Sequence, residues 1–130
     1  MDWKGIVVHH SASHDVSANE IERWHKQRNF RTIGYHFVIR QSGALEPARV
    51  FDQAGAHKRG YNASHLGICL TGRLHKHPPT LEQVTGLVRL TWGLMERFDI
   101  EPENIIKHHE QCPGKMFPWD FFMSEIKEGY

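Results

Sequence analysis

Apolar residues run without a break from Ile6 to Val8 and then stop at His9 and His10. A short unbroken run of this kind predicts a strand buried on both faces, from about Gly5 to His9. From Asp15 to Phe30 the pattern becomes helical. Ser17 and Glu20 have the spacing of a capping box, Val16 and Ile21 that of a hydrophobic staple, and Ile21, Trp24 and Arg28 fall along one side. Alternation appears at "YHFVIR". Tyr35, Phe37 and Ile39 should share one face of a hairpin strand and His36, Val38 and Arg40 the other, with "QSG" as the turn.

The segment from Phe51 to Ser64, "FDQAGAHKRGYNAS", has no periodicity and reads as a loop. "HLGICLTG" is apolar without clean alternation, which suits a central strand. Thr80 and Gln83 again suit a capping box, and Leu81, Val84, Leu87, Val88, Leu94, Met95 and Phe98 recur at helical spacing. "NIIKHH" predicts a short strand, and "FPWDFFMSEIKEGY" a closing helix that packs Trp119, Phe122 and Ile126. The order strand, helix, hairpin, strand, helix, strand, helix predicts an α/β fold: one domain over residues 1–130, with a central mixed sheet flanked by helices.

Composition narrows the function classes. At 130 residues the chain can bury a real core without staples. A formal net charge of +1 gives no basic excess that would ask for a nucleic-acid partner. No apolar run reaches the length of a membrane span, and "MDWKG" lacks the layout of a signal peptide. The expected protein is a monomer, cytoplasmic as synthesised, that would reach a target outside the cell only if something else released it. Two cysteines are too few for a disulfide framework. Cys69 lies in an apolar run and reads as core, whereas Cys112 lies in the polar turn "QCPGK".

Histidine placement changes the picture. Pairs stand at two predicted strand ends, His9–His10 and His108–His109, with Cys112 just behind the second. Two imidazoles and a thiolate, with a fourth position left to water, are the donor set of a catalytic zinc site. Parity puts His108 on the face of Ile106, away from Lys107, and so favours His108 within its pair. It does not choose between His9 and His10, because the residues on both sides of that strand are apolar. Spacing alone leaves three readings: a zinc site, hydrogen-bonded surface pairs, or a metal-free Cys–His nucleophilic pair. Tyr35 is read on pattern alone as a packing aromatic, and the cations Lys58 and Arg59 equally as a solvated loop or as grips for substrate carboxylates.

Four ordered motifs, "VVHHSAS", "IGYHFVIRQSG", "GAHKRGYNASHLGICLTG" and "HHE…CPGKMFPWD", resemble those of type 2 N-acetylmuramoyl-L-alanine amidases. That family includes phage lysozyme-type amidases and peptidoglycan recognition proteins. The likeness covers nearly the whole chain. It implies a zinc (Zn2+) amidase that cuts the bond between N-acetylmuramic acid and L-alanine in peptidoglycan or muropeptides. It also implies zinc ligands His9, His108 and Cys112, and a tyrosine, Tyr35, beside the reacting water. His57 and Asn62 match positions lining the substrate groove, and Arg59 stands between them as a candidate grip for the stem peptide.

Two departures from the family pattern stand out. Only "HEQ" separates His108 from Cys112, where relatives have several more residues. Two positions before the cysteine, where relatives often place a lysine or threonine that steadies the oxyanion, this chain has Glu110. Glu110 is a candidate general base, or a carboxylate that orients a ligand histidine, and Lys115 a candidate substitute cation. A binding module that keeps the fold but does not cleave is the rival expectation.

Overall fold

The structure, a computed structural model, describes residues 1–129. Five strands form one sheet: β1 (Gly5–His10), β2 (Phe37–Ile39), β3 (Leu45–Pro47), β4 (His65–Leu70) and β5 (Ile105–Lys107). Their order is β3-β2-β4-β1-β5. β2, β4, β1 and β5 run parallel, and only β3 is antiparallel, to β2. The sheet is therefore mixed, as expected. Every residue of β1 is buried, because β1 has a neighbour on each edge and a packed layer on each face.

Three helices cover the sheet: α1 (Ala18–Gln27), α2 (Leu81–Phe98) and α3 (Trp119–Gly129). Ile6, Val8, Phe37, Ile39, Ile68 and Leu70 pack against Leu87, Met95, Phe122 and Ile126 of α2 and α3. Burying each such side chain contributes about 1.5–3 kcal/mol. On the other face Val38 and Cys69 pack with Val16, Ile21 and Ile33 around α1. Alternation along β1 sends Ile6 and Val8 to the first layer, so Val7 and His9 face the second.

The helix starts follow the sequence signals. Ser17 accepts from the Glu20 N–H at 3.1 Å. Thr80 and Gln83 form the full reciprocal box. Gln83 also donates to the carbonyls of Ile39 and Thr71, tying α2 to the ends of β2 and β4.

The hairpin departs from its expected alternation. β2 spans Phe37–Ile39 only, and Tyr35 packs with Val38 and Cys69 instead of with Phe37 and Ile39. The reason is a pair of long-range contacts: His36 Nδ1 accepts the Gly67 N–H at 3.1 Å, and its ring lies edge-on to Trp3. That contact draws His36 towards the first layer and turns Tyr35 to the second. No helix among the described residues is long and apolar enough to cross a membrane.

Candidate metal centre and cleft

The parallel register places the two histidine pairs side by side. Val7 lies opposite Ile106 and Val8 opposite Lys107, so His9 and His108 emerge on the same face of adjacent strands. Their ring centroids are 4.6 Å apart. The His108 N–H donates to Val8 O, extending the ladder to the point where the chain turns. His10 points the other way and uses its Nδ1 to accept the Leu74 N–H at 3.0 Å.

A tight reversal supplies the third group. His109 and Cys112 exchange backbone hydrogen bonds of 3.1 Å in both directions, so Glu110 and Gln111 form an exposed two-residue tip. This closed turn is how so short a "HHEQC" segment brings the cysteine back. Cys112 is buried, and its Sγ accepts the His10 N–H at 3.3 Å.

Single ligand atoms of His9, His108 and Cys112 all lie within 4.8 Å of one another. His9 Nδ1 and Cys112 Sγ are 3.9 Å apart. Around a tetrahedral zinc with bonds of about 2.0–2.3 Å, ligand atoms stand roughly 3.3–3.8 Å from each other. The donor set and its chemistry fit zinc, and its atoms stand at most about 1 Å wider than a closed tetrahedral set.

Electrostatics favour neutral imidazoles here. Burial first, then the neighbouring His57 and His108, lowers His9 well below the ordinary histidine range. Burial also lowers His57 to about 4, and lowers His108. Burial pushes the Cys112 thiol up to about 11, against a smaller downward pull from the His10 N–H and the Lys58 ammonium.

A cavity of about 660 Å³ opens beside Cys112, lined by His10, Tyr35, His75, Glu110 and Lys115 among others. A second, of about 370 Å³, adjoins it at Tyr35 and His108 and carries Lys58, Arg59 and Asn62. Tyr35 thus stands between two halves of one cleft, its ring 5.0 Å from that of His9. Burial, reinforced by Cys69 and Cys112, raises its phenol well above the ordinary value, so it is a proton donor at neutral pH.

The sequence-predicted residues take distinct places. His57 is buried directly behind His9. Asn62 Oδ1 accepts the N–H groups of His57 and Lys58 at 2.7 and 2.9 Å, which holds the loop in shape and leaves only the amide NH2 for other contacts. Arg59 is exposed on the cleft wall, and Glu110 is exposed at the turn tip. Lys58, whose sequence pattern gave it no place beside the histidine pairs, donates its Nζ to the His108 carbonyl and lies 5.0 Å over the Tyr61 ring. Its place beside His108 depends on how the loop folds back to the end of β5, for which the sequence carries no signal.

The N-acetylmuramoyl-L-alanine amidase family profile matches residues 1–115. The endolysin of Enterobacteria phage K11 is 44% identical over 129 residues, covering 95% of this chain and 85% of its own. The N-acetylmuramoyl-L-alanine amidase LysC from Clostridium intestinale URNW superposes with a TM-score of 0.92 at 30% identity, over 98% of this chain and 87% of LysC. Drosophila peptidoglycan recognition protein SD, at 20% identity, shares the fold with a TM-score of 0.82 over 92% of this chain and 79% of its own. With a family match over most of its length and the expected α/β architecture, the chain belongs to the N-acetylmuramoyl-L-alanine amidase family.

Proposed function

We propose that this protein is a zinc-dependent amidase that hydrolyses the bond between N-acetylmuramic acid and L-alanine in peptidoglycan or muropeptides. The observation that carries the reading is the convergence of His9, His108 and Cys112 at the head of an open cleft. When bound there, zinc supplies a nucleophilic water at neutral pH and polarises the amide carbonyl. His9 and His108, uncharged at pH 7, present lone pairs without losing a proton first. The His10 N–H and the Lys58 ammonium favour the thiolate of Cys112.

The remaining roles follow from placement. The Tyr35 phenol, protonated and beside His9, is the hydrogen-bond donor for the oxyanion or the reacting water. Lys58 brings an ammonium to the His108 side of the cleft and takes the part of the cation missing at position 110. Arg59 and the free amide of Asn62 face the same side, where a stem peptide would set its carboxylates. Glu110, free in solvent at the cleft rim, can receive a proton from the water or pass one to the leaving amine.

Metal content of protein purified without chelator, paired with hydrolysis of a defined muropeptide, tests the proposal. The expected result is one zinc per chain, and cleavage that stops on chelation and returns with zinc. Tight muropeptide binding without cleavage would establish the non-catalytic alternative, which the carboxylate at position 110 favours. Cleavage that survives complete chelation would point to Cys112 as a nucleophile.

A further inference from the structure

Behind the metal centre, the His57 ring lies in a buried socket. Its Nδ1 is 2.9 Å from His9 Nε2, and its Nε2 is 2.9 Å from the backbone oxygen of His65. Two glycines make the socket. A Cβ on Gly67, in the middle of β4, would meet the His57 ring at 2.7 Å, and one on Gly55 would meet it at 2.4 Å. Neither position has a positive φ. These glycines therefore provide room for the ring, not an unusual backbone.

The direction of the two hydrogen bonds follows from chemistry. A carbonyl oxygen can only accept, so His57 Nε2 carries the hydrogen that goes to His65. A buried, neutral imidazole holds one N–H, which leaves His57 Nδ1 with a lone pair. The bond to His9 must then be donated by His9 Nε2–H, so the free lone pair of His9 sits on Nδ1, the atom nearest Cys112 Sγ.

We infer that His57 is a positioning residue that locks His9 in the Nε2–H tautomer and aims its Nδ1 at the metal. The relay runs from the His65 carbonyl through His57 to His9. It fills the place that a carboxylate or a carbonyl usually takes behind a metal-binding histidine. The inference rests on the zinc reading for its purpose, but the tautomer itself can be measured without metal.

Two experiments decide it. In zinc-free wild-type protein with 15N-labelled histidine, two-bond 1H–15N correlation spectra should show His9 protonated at Nε2 and bare at Nδ1. The opposite tautomer would overturn the inference. Zinc affinity is then measured by chelator competition in His57→Asn and His57→Leu. Asparagine Oδ1 falls near the Nδ1 position and can accept from His9, leucine cannot, and neither reproduces the bond to His65. Leucine should weaken zinc binding by about 10–100-fold, while asparagine stays within about threefold of wild type. Equal affinity in the two variants would reduce His57 to packing. If wild-type protein takes up no zinc, the zinc reading fails, and the tautomer spectrum still decides the relay.

Discussion

Gly67 and His57 fit together so closely that one added methyl group at position 67 would stand 2.7 Å from the imidazole ring. Gly67→Ala should therefore act through the metal centre. The backbone of β4 accepts alanine, so the strand persists, while the ring must shift away from His9. Zinc affinity should fall by about tenfold or more, with the far-ultraviolet dichroism unchanged. Unaltered affinity in a folded Gly67→Ala protein would mean that the ring has slack the packing does not suggest.

Tyr35→Phe removes the phenol beside His9 and leaves the ring in place. A group that acts chiefly in the transition state shows its loss in kcat more than in KM. Single-turnover cleavage of a muropeptide should slow on the order of a hundredfold. An unchanged rate would return Tyr35 to a packing role.

Lys58 and Glu110 carry opposite charges on the walls of the cleft. Lys58→Ala should lower kcat on the order of a hundredfold if its ammonium steadies the oxyanion. Glu110→Lys should raise the rate by adding a cation at the turn tip beside Cys112. Rate constants for the two variants and the double variant give the coupling. A Lys58→Ala enzyme with wild-type kcat would leave that ammonium to anchor the His108 carbonyl alone.

Zinc affinity should rise with pH. The free Cys112 thiol, pushed up to about 11 by burial, is protonated at pH 7 and must release that proton to bind metal, whereas the ligand histidines are already neutral. The apparent affinity should climb about tenfold per pH unit around neutrality. Calorimetry in buffers of different ionisation enthalpy should find about one proton released per zinc. No proton release would mean that the thiolate pre-exists.

Acid should destabilise the zinc-free protein well before its carboxylates titrate. His10 and His57 are each lowered from 6.5 to about 4, chiefly by burial. Between those values the unfolded chain binds protons that the folded chain does not, so stability falls as pH drops. Urea midpoints should decline from pH 6.5 towards pH 4. A flat profile would show that both rings take up protons without leaving their sites.

The fold was largely legible because its signals are local. The apolar run at Ile6–Val8, the capping pairs at Ser17 and Thr80, and the helical repeat from Leu81 to Phe98 each specify an element from within a few turns of chain. The candidate donor set was legible too: histidine pairs at two strand ends with Cys112 behind the second stood out, while pattern alone still allowed surface pairs or a metal-free Cys–His pair. Three things were decided only by tertiary structure. Residue pattern left His9 and His10 open, with only the motif resemblance favouring His9, and the parallel register of β1 with β5 sets His9, not His10, on the face of His108. Insertion of His36 against Gly67 turned Tyr35 out of its expected stripe and towards the His9 ring. Folding of the 55–62 loop over the sheet put His57 behind His9 and Lys58 beside His108. Each depends on contacts between residues about thirty to a hundred positions apart, and no pattern within a single segment encodes them.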